Sequence, residues 1–326
     1  MCPLVNNSLV GVALLKVVAE QGNADAQYDL SVAYARGLGV TQDFKEAAKW
    51  CRLAAEQGHV DAQYNVGLSC YIGQSVQKDY QAAAKWFRLA AEQGHASAQH
   101  NLGVAYDNGH GVTQNYQTAV KWFRLAAEQG HESAQNNLGN MYYVGHGVTQ
   151  DFKEAVKLYH LAAEQGEVGA QNALGLLYYG GECVQQDYQE AAKWSRLAAE
   201  QGHADAQNTL GLLYYIGEGV IQDYHAAAQW FRLAAVQGNA SALYNLGNMY
   251  YIGQGLASSQ VAAYALYNLS AAYDPSSSNP ATTNCTAAMK AMPPKEIAVA
   301  QVLIRELCKP GNLINALDQY IKAHLH

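Results

Sequence analysis

The 326-residue sequence is poor in charge and lacks long apolar runs. Asp, Glu, Lys and Arg make up only 14% of the residues, the formal net charge is −7, and Lys and Arg nowhere form a cluster. Nucleic acids and anionic membrane surfaces need clustered positive charge, so the composition disfavours both as partners. No stretch approaches the roughly 20 apolar residues that span a bilayer, so direct membrane insertion is not expected.

Familiar catalytic motifs are missing as well. The sequence has no H-E-x-x-H, no P-loop and no G-x-G-x-x-G after a strand. One S-x-x-K, from Ser75 to Lys78, matches the nucleophile pattern of penicillin-recognising enzymes, but neither S-D-N nor K-T-G accompanies it. We therefore expect no enzyme activity, no cofactor and no metal. A cell-wall-binding, penicillin-binding or hydrolytic protein is the alternative.

Cysteine is scarce and irregularly spaced. The six cysteines are Cys2, Cys51, Cys70, Cys183, Cys285 and Cys308. We interpret most of them as small buried hydrophobic residues. A Cys51–Cys70 disulfide is the alternative, and the redox compartment stays open.

Self-similarity is what the sequence has in abundance. A glycine that closes Glu-Gln-Gly or Val-Gln-Gly recurs every 36 residues, at Gly22, Gly58, Gly94, Gly130, Gly166, Gly202 and Gly238. This period is typical of helical hairpins that stack because one hairpin cannot bury its own apolar face. The sequence predicts an all-α solenoid with four parts: a half repeat and capping helix over 1–22, seven repeats over 23–274, a polar linker over 275–292 and C-terminal capping helices over 293–326.

Each repeat is predicted to contain two antiparallel helices. A short polar residue is expected to cap the first helix. The candidates are Asp25, Ser97, Ser133, Asp205 and Ser241. In the first repeat this helix ends at Gly37 and Gly39, and a second helix, capped by Asp43, ends at Gly58. Arginine stands four residues before glutamate in four repeats, which predicts modest pairing on a solvated face of the second helices: Arg52–Glu56, Arg88–Glu92, Arg124–Glu128 and Arg196–Glu200.

Small and large residues form matching columns. Glycine occupies one position of the first helix in six repeats: Gly67, Gly103, Gly139, Gly175, Gly211 and Gly247. Tryptophan occupies one position of the second helix in five: Trp50, Trp86, Trp122, Trp194 and Trp230. Because glycine inside a helix costs about 1 kcal/mol, we expect it to allow close helix approach, with the two columns interlocking.

These residues resemble the Sel1-like repeat family, a relative of the tetratricopeptide repeats. The family's pattern is matched at Ala206, Leu210, Gly211, Tyr214, Gly217, Gly219, Val220, Asp223, Ala227, Trp230, Ala234, Ala235 and Gly238. The resemblance covers most of the chain. It implies a right-handed superhelix of antiparallel helix pairs and a role as an adaptor or scaffold, commonly in bacterial signalling, envelope processes or host interaction.

The C-terminal region departs from the repeat. A capping helix is predicted over 293–307, and its apolar side is expected to be Ile297, Ala300, Val302 and Leu303. An amphipathic helix is predicted over 312–325. This last helix either extends the cap or serves as a dimer or partner helix.

The histidines His59, His95, His131 and His203 share one repeat position, just after the glycine. Asn23, Glu167 and Asn239 fill the same position, and no column of carboxylates or thiolates accompanies it. A closed metal site needs such a ligand set, so we interpret the position as a polar turn.

Three positions of the first helix vary between repeats, and in related stacks such positions line the concave groove. The first column is Tyr28, Tyr64, His100, Asn136, Asn172, Asn208 and Tyr244. The second column is Val32, Leu68, Val104, Asn140, Leu176, Leu212 and Asn248. The third column is Ala35, Tyr71, Asp107, Tyr143, Tyr179, Tyr215 and Tyr251. None of these positions holds a basic residue, so a clamp for a C-terminal carboxylate is not expected.

Tyrosine offers contact area and a hydroxyl with little entropy to lose, and asparagine can clamp an extended backbone. The predicted partner-binding residues are Tyr64, Leu68, Tyr71, Asn136, Asn140, Tyr143, Asn172, Leu176, Tyr179, Asn208, Leu212, Tyr215, Tyr244, Asn248 and Tyr251. The alternative is that the tyrosines only pack between neighbouring helices.

We therefore expect a non-enzymatic scaffold of bacterial type that binds a peptide or helix of another protein, with a host protein as one candidate. A structural oligomer formed through the C-terminal helix is a further alternative. The apolar stretch from Ser8 to Leu15 lacks a basic region before it and aligns with the second helices, so we interpret it as a helix, not a signal peptide. The location stays open: cytoplasmic, or secreted or periplasmic after removal of a signal that this chain does not contain.

Overall fold

The computed structural model describes residues 9–73, 77–276 and 278–324. The chain divides into two compact units, unit 1 over 1–165 and unit 2 over 166–326. Across these described ranges all regular secondary structure is helical, with no strand. The prediction of an all-α solenoid of helix pairs is confirmed.

The described part of unit 1 forms nine helices, each packed against its neighbours in sequence. They are α1 (Leu9–Glu20), α2 (Ala24–Arg36), α3 (Phe44–Glu56), α4 (Val60–Ile72), α5 (Tyr80–Glu92), α6 (Ala96–Asn108), α7 (Tyr116–Glu128), α8 (Glu132–Val144) and α9 (Phe152–Glu164). The even-numbered helices are the first helices of their repeats. The helix predicted for Ser8 to Leu15 is present as α1 from Leu9 onward.

The described part of unit 2 forms nine more helices. They are α10 (Val168–Gly180), α11 (Tyr188–Glu200), α12 (Ala204–Ile216), α13 (Tyr224–Val236), α14 (Ala240–Ile252), α15 (Gln260–Tyr273), α16 (Ala281–Ala291), α17 (Pro294–Leu307) and α18 (Leu313–His324). Helices α10 to α15 form repeat pairs, and α16 to α18 follow them. Within the residues the structure describes, no helix is long and apolar enough to cross a membrane.

The N-cap of the second helix lies where the sequence predicts, but the N-caps of the first helices lie elsewhere. Asp43 accepts hydrogen bonds from the backbone N–H groups of Lys45 and Glu46, so its predicted role is confirmed. The first helix of the same repeat is capped by Asn23, whose side chain accepts from the backbone N–H of Ala26 at 2.8 Å.

The predicted caps Asp25, Ser97, Ser133, Asp205 and Ser241 are therefore wrong by two residues. The residues in the N-cap position are Asn23, His59, His95, His131, Glu167, His203 and Asn239. Both positions are polar in most repeats, but only the N-cap residue has the extended backbone that lets its side chain reach the first turn.

The glycine column explains how helices approach, but its main partner is not the tryptophan. A β-carbon on Gly103 would lie 2.6 Å from the ring of Phe123, the residue after Trp122. The same position in other repeats faces Phe87, Tyr159, Ser195, Phe231 or Tyr267. The predicted interlock of glycine with tryptophan is thus shifted by one residue along the second helix.

Most arginines of the second helices reach the next repeat. Three tyrosine hydroxyls accept from arginine: Arg88 to Tyr106 at 2.6 Å, Arg124 to Tyr142 at 3.0 Å and Arg196 to Tyr214 at 2.8 Å. Arg52 pairs with Glu56 at 3.1 Å, because the tyrosine position of the next repeat holds Cys70. The predicted i,i+4 pair is confirmed at Arg52 and is wrong for the other three.

The C-terminal helices differ in two details from the prediction. The stretch 275–292 is not an extended linker, because it contains α16, which packs against α15. On α17, Ala300 and Leu303 are buried as expected, but Val302 is 52% exposed and Leu307 is buried in its place. A helix repeats every 3.6 residues, so Val302 lies off the stripe formed by the other three.

Helix α18 packs within unit 2, as predicted for a helix that extends the cap. It packs against α13 and α17 and buries Leu313, Ala316 and Leu317. Asp318 accepts a charge-assisted hydrogen bond from Arg232 of α13. The apolar side of α18 is thereby used within unit 2.

The cysteines of the described residues are unpaired, so the alternative Cys51–Cys70 bridge is not formed. Cys51, Cys70 and Cys285 are half-buried, whereas Cys183 and Cys308 are exposed. The interpretation of most cysteines as buried is wrong for these last two. Cys2 lies outside the described residues.

Candidate functional site

Three of the four first-column residues in unit 1 are rings that stack on the next repeat, and Asn136 is the fourth. The ring pairs are Tyr28–His59 at 4.4 Å, Tyr64–His95 at 4.5 Å and His100–His131 at 4.8 Å between centroids. Each partner histidine is also an N-cap, and the Nδ1 atom of His95, for example, accepts from the backbone N–H of Ala98 at 3.2 Å. The histidine position is therefore structural. In the described ranges no group of three or more His, Cys, Asp or Glu could hold a metal ion.

The same column in unit 2 uses amides. Asn208 Oδ1 accepts from Asn245 Nδ2 at 2.9 Å, which links two successive first helices. The equivalent partner of Asn172 is Thr209, and Asn172 Oδ1 is buried without a hydrogen-bond partner among the described residues. The missing donor follows from the replacement of asparagine by threonine.

The second column contains five aliphatic residues and two asparagines, and each asparagine is held by a tyrosine. The Tyr159 hydroxyl donates to Asn140 Oδ1 at 2.7 Å in unit 1, and the Tyr267 hydroxyl donates to Asn248 Oδ1 at 2.7 Å in unit 2. Where the second column is Leu68, Val104 or Leu212, the corresponding residue of the second helix is Phe87, Phe123 or Phe231. An asparagine occurs in this column only where a hydroxyl fixes its amide oxygen.

The third column packs edge-on against the first residue of the second helix. The ring pairs are Tyr71–Tyr80 at 5.2 Å, Tyr143–Phe152 at 5.4 Å, Tyr179–Tyr188 at 5.8 Å and Tyr215–Tyr224 at 5.4 Å. Burial raises the pKa of the Tyr179 and Tyr215 phenols, so both rings stay neutral at physiological pH. Tyr251 differs, because 52% of its surface is exposed.

The predicted partner-binding residues thus divide into two kinds. Those of the first column are half-buried, and several already contact the next repeat. Asn140, Leu176 and Tyr251 are exposed, and the remaining members of the second and third columns are half-buried. Whether these surfaces bind a partner stays a prediction.

Charge is nearly absent from the three columns. Asp107 is the one acidic member, and burial raises the pKa of its carboxyl. Burial also lowers the pKa of His100 to about 4, so its ring is neutral at pH 7. The surface that remains is aromatic, aliphatic and amide. Ser75 of the S-x-x-K sequence lies outside the described residues.

A small cavity opens between α12 and α14 of unit 2. Its volume is about 110 Å³, and it is lined by Leu212, Tyr215, Phe231, Asn245, Asn248 and Ile252. Tyr215 is fixed as one wall, because its hydroxyl donates to Gln254 Oε1 at 2.5 Å. Second-column and third-column residues therefore meet around one enclosed space.

A column of buried glutamines was missed by the sequence analysis. In unit 1, Gln99 Nε2 donates to the carbonyl of Ala91 at 3.1 Å, and Gln99 Oε1 accepts from Gln129 Nε2 at 2.7 Å. Gln207 makes the matching bonds in unit 2. The signal was present in the chain: six repeats keep both glutamines, and the seventh replaces both, with Leu243 and Tyr273.

Comparisons with known proteins agree with this architecture. The Sel1 repeat model matches residues 24–59, 60–95, 96–131, 132–167, 168–203, 204–239 and 240–272. A Sel1 repeat protein from Oxalobacter formigenes is 36% identical over 81% of this chain and 76% of its own, with a TM-score of 0.63. Antigen c5321 of uropathogenic Escherichia coli, which displays the Sel1-like repeat fold, is 29% identical over 96% of this chain and 82% of its own, with a TM-score of 0.45. No curated protein sequence matches the chain.

The repeat period, the glycine column facing aromatic rings and the seven matched repeats all point to the same architecture, which is that of a protein-interaction scaffold. The chain belongs to the Sel1 repeat family.

Proposed function

We propose that the face formed by the first helices binds an extended peptide segment or a helix of another protein, without catalysis. The second and third columns provide the contact surface, and the first column holds the repeats together. Asparagine amides hydrogen-bond the partner backbone, while tyrosine and leucine side chains supply apolar contact.

The observation that supports this proposal is the pairing of asparagine with tyrosine at Asn140 and Asn248. The tyrosine hydroxyl occupies the amide oxygen, so the Nδ2 group of each asparagine is left as a donor, with no bond to another described residue. A column that served packing alone would not need an amide, since Leu212 and Phe231 fill the same positions. An amide held at one end and open at the other suits the carbonyl groups of a bound backbone.

The absence of basic residues from the columns narrows the partner. A strongly acidic segment or a free carboxylate would find no cation there, so we expect an uncharged or weakly polar segment. The source of the partner is either a bacterial protein or a host protein, and the two are separated by experiment.

The test replaces each asparagine–tyrosine pair by the leucine–phenylalanine pair that the chain itself uses. The variant N140L/Y159F/N248L/Y267F removes both amide donors and keeps the packing seen at Leu212 and Phe231. Wild type and variant are used as baits in bacterial and host-cell lysates separately, and captured proteins are identified by mass spectrometry. We expect a specific partner to be captured by wild type and lost from the variant.

Circular dichroism and the melting temperature confirm that the variant is folded. Leu53→Asn, on the exposed side of a second helix, is the matched control and is expected to retain the partner. Retention of every specific partner by the folded four-residue variant would contradict the proposal and direct attention to the second-helix face.

A further inference from the structure

The cavity between α12 and α14 has the size of a side-chain pocket. At about 110 Å³ it is smaller than the roughly 300 Å³ at which small-molecule sites begin. It is also smaller than an apolar cavity of about 150 Å³, which is large enough to hold benzene. A branched aliphatic group fits such a volume better than an aromatic ring or a metabolite.

The lining of this cavity combines apolar side chains with two asparagines. Phe231 is fully buried, and Leu212, Tyr215 and Ile252 provide further apolar surface. Asn245 and Asn248 stand three residues apart on α14, which makes them neighbours on one side of the helix. A side chain inserted here would lose its water without meeting a charge.

The two asparagines retain complementary hydrogen-bonding atoms. Asn245 uses its Nδ2 to reach Asn208, and Asn248 uses its Oδ1 to accept from Tyr267. Asn245 Oδ1 and Asn248 Nδ2 form no hydrogen bond within the part of the chain that the structure describes. One acceptor and one donor therefore remain, which is what a peptide unit needs for its N–H and its C=O.

The surroundings of the cavity are uncharged. All nine members of the three columns in unit 2 are Asn, Leu or Tyr, whereas unit 1 includes Asp107 and His100. A charged residue of the partner would be desolvated in unit 2 without compensation. The electrostatics therefore favour an uncharged segment at this place.

We propose that this cavity is the anchor pocket of the groove, taking one valine, leucine or isoleucine side chain of an extended, uncharged peptide. Asn245 and Asn248 bind the backbone next to that side chain. This inference rests on the proposed function and specifies the chemistry of its partner.

The test begins with a phage-displayed library of random linear peptides selected on the full-length protein. We expect enriched sequences to share one aliphatic position in an uncharged context. The strongest binder is then synthesised with Leu, Val, Ala, Phe or Asp at that position, and the dissociation constants are measured by isothermal titration. Replacement of the aliphatic residue by Ala or Asp is expected to weaken binding about tenfold or more.

Two variants locate the pocket. Leu212→Phe narrows it, and Asn248→Asp removes the amide donor but keeps an acceptor for Tyr267, so both are expected to weaken the aliphatic peptide about tenfold. Leu53→Asp, which adds a carboxylate on the exposed side of a second helix in unit 1, is the control for Asn248→Asp and is expected to leave the affinity unchanged. Circular dichroism checks that all three are folded.

The outcomes separate the two proposals. Enriched peptides that bind Leu212→Phe and Asn248→Asp as well as wild type would overturn the pocket but leave the groove function standing. A preference for an aromatic or charged residue at the anchor position would overturn the aliphatic specificity. Failure to enrich any peptide over the four-residue variant N140L/Y159F/N248L/Y267F would overturn both.

Discussion

The first column links consecutive repeats by different chemistry in the two units. In unit 1 the links are mainly stacked rings, such as His100 on His131, and the amides of Asn65 and Asn137 add hydrogen bonds to Tyr28 and His100. In unit 2 the links are amides, complete at Asn208 and Asn245 and incomplete at Asn172. The repeat helix pairs are otherwise alike, and the glutamine column runs through both units until Leu243 replaces it in the last repeat.

The difference shows that different positions of the 36-residue repeat set the distance between helices and join successive first helices. Glycine–aromatic contacts and buried glutamines fix the distance between helices, so these positions hardly vary. The first column only has to join one first helix to the next, and a ring or an amide does so equally well. The choice does change how the link responds to pH, since an imidazole titrates near neutrality and an amide does not.

The largest loss of stability is expected when a residue of the buried glutamine column, which both units contain, is replaced. Gln99→Leu removes two hydrogen bonds, one to the carbonyl of Ala91 and one from the amide of Gln129. Because each lost hydrogen bond costs about 0.5–1.5 kcal/mol, we expect a loss of about 2–3 kcal/mol in local stability. Hydrogen exchange of the flanking helices, measured by mass spectrometry, reports this loss.

Gln207→Leu is the matched change in unit 2, where the bonds have lengths of 3.1 and 2.9 Å. If the units differ only in the first column, the two substitutions should cost the same within about 0.5 kcal/mol. A much smaller cost in one unit would show that its glutamine column is not structurally equivalent.

The second prediction concerns the pH dependence of stability, which should differ between the two units. Burial lowers the pKa of His100 from 6.5 to about 4, so the unfolded chain binds the proton more readily than the folded one. The stability contributed by neutral His100 is therefore present above pH 6.5 and is lost as the pH falls towards 4. Residual solvent exposure reduces the full linkage value, and we expect a loss of about 2 kcal/mol around α6 and α8.

The groups that face His100 are His131, Asn101, Asn137 and Glu132; the hydrogen bond with Asn101 and the charge of Glu132 favour the charged ring, and burial and His131 oppose it. His100→Tyr reproduces the Tyr64–His95 stack and should flatten this part of the pH profile. Hydrogen exchange at pH 7.0 and 4.5 makes the measurement, with α14 of unit 2, which Asn239 caps, as internal reference. Equal acid sensitivity of wild type and His100→Tyr would show that another group is responsible.

The third prediction concerns a substitution that supplies the missing amide donor to Asn172 in unit 2. Thr209→Asn places a carboxamide where Asn245 stands one repeat later, and its amino group can donate to the unpaired Asn172 Oδ1. We expect a gain of about 1 kcal/mol, the usual net value of such a bond. The melting temperature and hydrogen exchange of α10 and α12 test the gain.

Thr209→Ser, which cannot reach as far, is the control for that substitution and should bring no gain. A destabilised Thr209→Asn variant would show that the space beside Asn172 does not admit an amide.

The sequence was sufficient for the repeat, the helix pairs and the caps of the second helices, because period and turn glycine are local signals. The N-caps of the first helices were missed, since Asn23 and Asp25 are both polar and only the backbone angles distinguish them. Gly103 was paired with Trp122 when its main neighbour is Phe123, because adjacent large residues give the same pattern. The orientation of the Asn248 amide depends on Tyr267, nineteen residues away on another helix, and local patterns do not show such a contact.

The smallest effect is expected when the missing arginine–tyrosine link between two repeats is introduced. Arg52 pairs with Glu56 because Cys70 offers no hydroxyl, whereas Arg88 reaches Tyr106. Cys70→Tyr should move Arg52 to the new phenol, with a coupling of about 0.5 kcal/mol because the pair is exposed. A double-mutant cycle of Cys70→Tyr with Arg52→Gln measures the coupling, and a parallel cycle of Tyr106→Phe with Arg88→Gln sets the reference. A coupling of zero in the first cycle and a clear value in the second would mean that the Arg52–Glu56 pair competes successfully with the phenol, so that the links between repeats depend on local pairing as much as on repeat position.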